Sequence, residues 1–197
     1  MSELTIEAEP TVVEQLLAYL SELQQWNRAY NLTAVRDPLE MVSRHLLDSL
    51  SILPWLQGER LLDVGSGAGL PGIPLAILEP GREWVLLDSN GKKARFLRHV
   101  QRTLGLDNVS VIEGRSEAYR PEQLPECITA RAFAAISDLI AMVGHLCLPG
   151  GRILAMKGRL DEQELAGVTA PYKLLSRHRL SVPGLASERN LIVIEQE

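Results

Sequence analysis

Ten residues constrain this chain more than any others: Asp63-Val64-Gly65-Ser66-Gly67-Ala68-Gly69-Leu70-Pro71-Gly72. They follow a short apolar run, Leu61-Leu62-Asp63-Val64, and precede a stretch with helical patterning. Glycines at such a strand-to-helix junction allow positive φ and let a ligand press against bare backbone, so a nucleotide-like ligand is expected there. Counted from Gly67, the spacing Gly67-x-Gly69-x-x-Gly72 satisfies the dinucleotide pattern; counted from Gly65 it reads GxGxG, the form typical of S-adenosylmethionine enzymes. A purely structural turn is the plainer alternative, and the glycines alone do not choose among the three.

The rest of the chain supplies the sheet. Trp84-Val85-Leu86-Leu87-Asp88, Val109-Ser110-Val111-Ile112-Glu113, Ile128-Thr129-Ala130 and Arg152-Ile153-Leu154-Ala155-Met156 are further short apolar runs alternating with longer segments. Strands alternating with helices imply βαβ units and a parallel sheet buried on both faces. The pattern predicts a long helix over 135–148, with Cys147 inside it, stopped by Pro149-Gly150-Gly151. Two last strands, over 174–182 and 191–195, are joined through Pro183-Gly184, and a link that short suits a hairpin because a parallel crossover needs about a dozen residues. Ahead of the sheet, Val13, Leu16, Leu17, Leu20 and Leu23 recur at helical spacing. A second helix opens at Asp37-Pro38-Leu39-Glu40 with a cap, a first-turn proline and a glutamate placed for a capping box, and carries the stripe Val42, His45, Leu46, Ser49, Leu50 and Leu53.

Context favours the methyl donor. Asp88 closes the second strand 23 residues after Gly65, where a carboxylate can accept hydrogen bonds from both ribose hydroxyls of an adenosine. Both cofactor classes use that device. A dehydrogenase half would continue with parallel strands, however, and Pro71 and Pro74 remove amide donors that a pyrophosphate needs at the helix start. The expected fold is therefore α/β: the Rossmann-like class I S-adenosylmethionine-dependent methyltransferase architecture, a mostly parallel seven-stranded sheet with an antiparallel last strand. Residues 1–58 are expected as an N-terminal helical segment packed on the core, and 59–197 as the catalytic domain.

The length, 197 residues with 46% hydrophobic, suits one buried domain with an accessory segment. The net charge of −5 argues against holding nucleic acid by bulk electrostatics. That charge is uneven: residues 1–50 hold eight acids and three bases, whereas the remainder holds seventeen of each. Within it, Lys92, Lys93, Arg95, Arg98 and Arg102 form a basic stripe, a solvated helix face or a phosphate contact. No apolar run reaches the roughly 20 residues of a membrane helix, and the acidic start, with Glu3, Glu7 and Glu9, is unlike a targeting peptide. A cytosolic monomer is expected. Cys127 and Cys147 have no CxxC or histidine companion and read as small buried hydrophobes; no metal is expected.

With these residues in hand the chain resembles the bacterial 16S rRNA guanine-N7 methyltransferases, also called glucose-inhibited division protein B. The similarity runs through Trp26-Asn27, Tyr30-Asn31-Leu32-Thr33, Arg44-His45-Leu46-Leu47-Asp48-Ser49 and the glycine loop. It continues through Leu87-Asp88-Ser89, Lys92, Arg95-Phe96-Leu97, Arg131-Ala132-Phe133, Lys157-Gly158, Glu188-Arg189 and Leu191-Ile192-Val193-Ile194. The departures are conservative: Ser66 where threonine is common and Ala68 where proline is common. The resemblance implies methyl transfer from S-adenosylmethionine to N7 of guanine 527 in the helix 18 loop of 16S rRNA, within the small ribosomal subunit or an assembly intermediate. It implies a cofactor held at Gly65, Leu70, Ser116, Glu117 and Arg131; Ser66, Gly67, Gly69 and Asp88 complete the expected cofactor set.

Guanine N7 carries an in-plane lone pair and no proton, so it can attack a sulfonium methyl without a general base. The residues agree with this. The (Asn/Asp)-Pro-Pro-aromatic motif of exocyclic amine methylation is replaced by Arg131-Ala132-Phe133, and neither cysteine is placed to activate a pyrimidine carbon. His45, His99, His145 and His178 are rejected as acid-base groups, with His45 read as a hydrogen-bonded core or interface residue. Arg131 is read as a positioning donor to the cofactor carboxylate or the guanine edge, with a structural salt bridge as its rival. Arg44 and Asp48, four apart, are expected to pair with each other or to brace the pocket. Lys92, Lys93, Arg95, Arg98, Lys157 and Arg159 are the expected phosphate contacts. An NAD(P)-dependent oxidoreductase and a non-catalytic assembly factor remain the alternatives.

Overall fold

The strand order β3-β2-β1-β4-β5-β7-β6 organises the structure, a computed structural model that describes residues 7–132 and 135–197. Strands β1 (Arg60–Val64), β2 (Glu83–Asp88), β3 (Val109–Glu113), β4 (Cys127–Arg131) and β5 (Arg152–Lys157) pair in parallel. β7 (Asn190–Gln196) runs antiparallel to both β5 and β6 (Tyr172–Arg179), so the hairpin and the antiparallel last strand are as expected. Central strands such as β1 are buried almost throughout, whereas β6 at the edge alternates between half-buried and exposed residues. The order reverses at β1, which has β2 on one side and β4 on the other. The crevice beyond the carboxyl ends of β1 and β4 is thus the topological switch point, where open α/β sheets bind ligands.

Helices cover both faces. α1 (Pro10–Tyr30), α4 (Gly72–Leu78) and α5 (Gly91–Thr103) lie on one face, and α6 (Ile136–Val143) on the other. The face that α1 buries is Leu16, Tyr19, Leu20, Leu23 and Asn27, while Val13 and Leu17 are 43% and 53% exposed. The expected stripe is therefore rotated, because two polar residues join it once their groups are satisfied. Asn27 Oδ1 accepts from the Thr33 amide at 2.9 Å, and the Tyr19 hydroxyl donates to the Ala68 carbonyl at 2.8 Å.

The second helix opens as predicted, with Asp37 accepting from the Leu39 amide at 2.8 Å. Glu40 does not close a capping box; it pairs with Arg44 at 3.5 Å instead. After α2 (Pro38–Met41) the chain widens into a π-helical turn, Val42–Leu47, before α3 (Asp48–Leu50), and the Asp48 amide reaches back to Ser43 O. Such turns are frequent at functional sites. The helix predicted over 135–148 is shorter: α6 ends at Val143, a 3-10 turn follows at Gly144–Leu146, and Cys147 is extended. Gly144 packs where any Cβ would collide with the Tyr172 hydroxyl, so the chain turns there to meet β6. β6 itself starts two residues earlier than predicted and stops at Arg179, its length following its register with β7.

Candidate active site

The glycine loop is sewn to the end of β2. The Gly65 and Ser66 amides donate to Leu87 O at 2.8 and 3.2 Å, and the Gly67 amide donates to Asp88 Oδ2 at 2.8 Å. Gly67 and Gly69 have φ of 60° and 91°, and a Cβ on Gly69 would lie 2.6 Å from Ile73 Cγ1. The loop can take this path only with glycine. Asp88 is 6% exposed and its Oδ1 accepts from the Asn90 amide at 2.8 Å. Each carboxylate oxygen has two acceptor positions, so both oxygens retain one for a ligand.

A cleft of about 280 Å³ opens beside Asp88, walled by Val64, Gly65, Leu87, Gly114, Ser116, Glu117 and Met142. Aliphatic walls, bare backbone and a buried carboxylate suit the flat base and diol of an adenosine. Ser116 Oγ donates to Glu117 Oε2 at 3.2 Å; the glutamate's own amide, then this hydroxyl, hold its carboxyl below the usual range. Ser66, Gly67, Gly69 and Leu70 line neither this cleft nor the next: the Ser66 hydroxyl donates to Asp63 O at 2.8 Å and the Leu70 amide to Ser66 O at 2.9 Å. They shape the turn beneath.

A second cleft, of about 500 Å³, lies across the switch point and is lined by Arg131, His45, Asp48, Val35, Arg159 and Arg189, among others. Arg131 takes the salt-bridge role that was its rival reading, with Nη1 at 3.2 Å from Asp48 Oδ2, and it still lines the cleft. Arg44 and Asp48 do not pair. Arg44 is bound to Glu40, while the 2%-exposed Asp48 accepts from Arg131 and, at 2.9 Å, from Arg189 Nε. Arg189 and Asp48 therefore enter the site together, and no local spacing announces a partnership across 141 residues. His45 is a buried histidine whose Nε2 lies 2.9 Å from Thr33 Oγ1, and burial lowers its pKa.

The expected phosphate contacts divide. Lys92 and Arg95 are exposed on α5; Lys93 borders the first cleft 3.9 Å from Asp88, and Arg98 pairs with Glu113 at 3.3 Å. Arg159 is exposed, but Lys157 is only 9% exposed and is bound to Glu164, because the 3-10 turn Glu162–Gly167 folds that carboxylate back over the end of β5. Lys157 is a wall residue rather than an open cation. Both thiols are buried, which pushes Cys127 up to about 11 and Cys147 up to about 12. Sequence reasoning missed Asp63 and Tyr19. Asp63 is fully buried under the loop, accepting from Thr129 Oγ1 at 2.9 Å and the Gly72 amide at 3.2 Å, and Tyr19 braces the loop from α1.

Strand order, antiparallel β7 and a crevice at the carboxyl edge together define the class I methyltransferase fold. Among solved structures, the glycopeptide N-methyltransferase MtfA complexed with S-adenosyl-L-methionine has a TM-score of 0.65 at 10% identity, covering 78% of this chain and 95% of that one. A putative O-methyltransferase from Klebsiella pneumoniae has a TM-score of 0.60 at 14% identity, covering 98% and 92%. Likeness at these identities is one of fold. The family model GidB, rRNA small subunit methyltransferase G, matches residues 12–192. The Ribosomal RNA small subunit methyltransferase G of Nitrosococcus oceani is 52% identical over 189 residues, 96% of this chain and 88% of the relative. That of Pseudomonas syringae pv. syringae is 50% identical over 194 residues, 98% and 91%. The chain belongs to the GidB family, the small-subunit rRNA methyltransferases G.

Proposed function

We propose that this chain methylates N7 of guanine 527 in the helix 18 loop of 16S rRNA by direct in-line transfer from S-adenosylmethionine, with no general base. The observation that carries the reading is how the titratable groups of the second cleft are engaged. Asp48 has an arginine on each oxygen, Glu164 is bound to Lys157, and His45 is buried, with Nε2 against Thr33 Oγ1 and Nδ1 closed off from the cleft. None of these is presented as a free base, which suits a nucleophile that brings its own lone pair and loses no proton. Rate then comes from holding the base in line with the methyl.

S-adenosylmethionine supplies the electrophilic sulfonium methyl. In this reading Asp88 accepts from the ribose hydroxyls, and Ser116 and Glu117 border the adenine. Gly65 presents bare backbone to the donor, with Ser66, Gly67, Gly69 and Leu70 shaping the turn behind it, while Arg131 orients its carboxylate. Lys92, Lys93, Arg95 and Arg98 on one flank and Arg159 on the other contact phosphates, and the target base is unstacked to reach the cleft. A chain of net charge −5 leaves part of the recognition to a structured partner, the small ribosomal subunit or an assembly intermediate, and acts as a cytoplasmic monomer. No helix among the described residues is long and apolar enough to cross a membrane.

The test is transfer of tritiated methyl to small subunits from cells lacking the enzyme, followed by borohydride and aniline cleavage to map 7-methylguanosine. Label on an exocyclic nitrogen, or at another nucleotide, refutes the assignment.

A further inference from the structure

We propose that Arg189 seats a phosphodiester of the RNA strand beside the target base, and that Asp48 is the positioning residue that holds Arg189 and Arg131 in the cleft. This rests on the rRNA methylation reading. The first support is charge. Although the chain is net negative, the second cleft is lined by five cationic side chains and two carboxylates, 5 − 2 = +3 with neutral histidine. The first cleft is lined by Lys93 and Arg115 against Asp88 and Glu117, 2 − 2 = 0. A donor with one carboxylate does not call for the excess on the second side; a polyanionic strand does.

The second support is geometry. Asp48, from the N-terminal segment, gives Oδ1 to Arg189 Nε at 2.9 Å and Oδ2 to Arg131 Nη1 at 3.2 Å. Arg189 Nη1 also donates to Glu188 O at 2.9 Å, which leaves its Nη2 without a partner among the described residues. One arginine would neutralise a carboxylate that is 2% exposed. The second adds a fixed cation, and a fixed guanidinium with an unused N–H group at a cleft is suited to a phosphate oxygen. Arg131 and Arg189 are 26% and 25% exposed at the side chain, partly open to the cleft rather than sealed with Asp48.

Three substitutions in the full chain test this: Arg189→Gln, Arg189→Lys and Asp48→Asn. The measurements are binding to unmethylated small subunits across a salt series, calorimetry with S-adenosylhomocysteine, and steady-state transfer. Arg189→Gln is expected to raise KM for subunits about tenfold, to lower the slope of log affinity against log salt by about 0.7–0.9, and to leave S-adenosylhomocysteine affinity within about twofold. Arg189→Lys keeps the charge and should restore the slope, while the lost fork geometry keeps KM raised. Asp48→Asn should raise KM for subunits about tenfold, and less than twofold further in the Arg189→Gln background, since that effect passes through Arg189, while the loss of kcat that follows from freeing Arg131 persists in both backgrounds. If Arg189→Gln fails to fold, the unchanged slope with raised KM in Arg189→Lys carries the test. Unaltered subunit KM and salt slope mean a structural ion pair only and overturn the proposal. So does a loss of S-adenosylhomocysteine affinity, which would make the donor carboxylate the ligand. A wild-type chain that labels no 16S rRNA would instead sink the methylation reading while leaving the binding arms interpretable.

Discussion

Replacing Asp63 by asparagine should change how stability depends on pH. The carboxyl sits at the end of β1 with no exposure, beneath the glycine loop. Burial outweighs the hydrogen bonds from Thr129, Ser66 and Gly72 and raises its pKa from 3.8 to about 6. With the folded value above the unfolded one, the folded state holds the proton more tightly. The contribution to stability is complete below the unfolded pKa and is lost as pH rises through the folded one. At 1.36 kcal/mol per pH unit the full loss is about 3 kcal/mol, with about half of it falling between roughly pH 5 and pH 8. Asparagine avoids that cost: its oxygen can accept from the Gly72 amide while its amide donates to Thr129 Oγ1. Urea unfolding of both proteins across this range should therefore show the variant gaining about 1.5 kcal/mol on the wild type as pH rises. Parallel stability curves would refute the reasoning, as would direct titration of Asp63 in the ordinary carboxylate range.

Other perturbations probe the loop and the thiols. Tyr19→Phe removes the donor to the Ala68 carbonyl and should cost about 1–2 kcal/mol in thermal unfolding and weaken S-adenosylhomocysteine binding severalfold; an unchanged melt and affinity would exclude α1 as a brace. Gly69→Ala combines a φ of 91° with a Cβ 2.6 Å from Ile73 and should destabilise by at least about 2 kcal/mol, read by denaturant midpoint. With thiol pKa values of about 11 and about 12, iodoacetamide at neutral pH should leave Cys127 and Cys147 unmodified by mass spectrometry and activity intact.

The sheet was readable in the sequence for a physical reason: parallel strands buried on both faces leave apolar runs such as Leu61–Val64 and Trp84–Asp88, and glycines at positive φ mark the turn between strand and helix. The position of Asp88 was readable because a carboxylate that closes an apolar strand run ends up at the carboxyl edge of the sheet, against the loop. What could not be read is polar burial. Tyr19 and Asn27 look like surface residues of α1 until the Ala68 carbonyl and the Thr33 amide arrive from later segments. Lys157 looks like an open cation until Glu164 folds over it. Asp48 reads as the i+4 neighbour of Arg44, yet its partners are 83 and 141 residues away. A buried polar group must be hydrogen-bonded, but the chain's periodicity carries no sign of a partner brought by topology. That same property links the unreadable residues to chemistry. A cleft at a switch point is made where distant segments meet, so its charges are anchored by long-range contacts and its local patterns are weakest. The N-terminal helices, which by pattern alone only cover the sheet, supply Tyr19 to the loop beside one cleft and His45 and Asp48 to the other. Their removal should therefore abolish substrate binding and not merely lower stability.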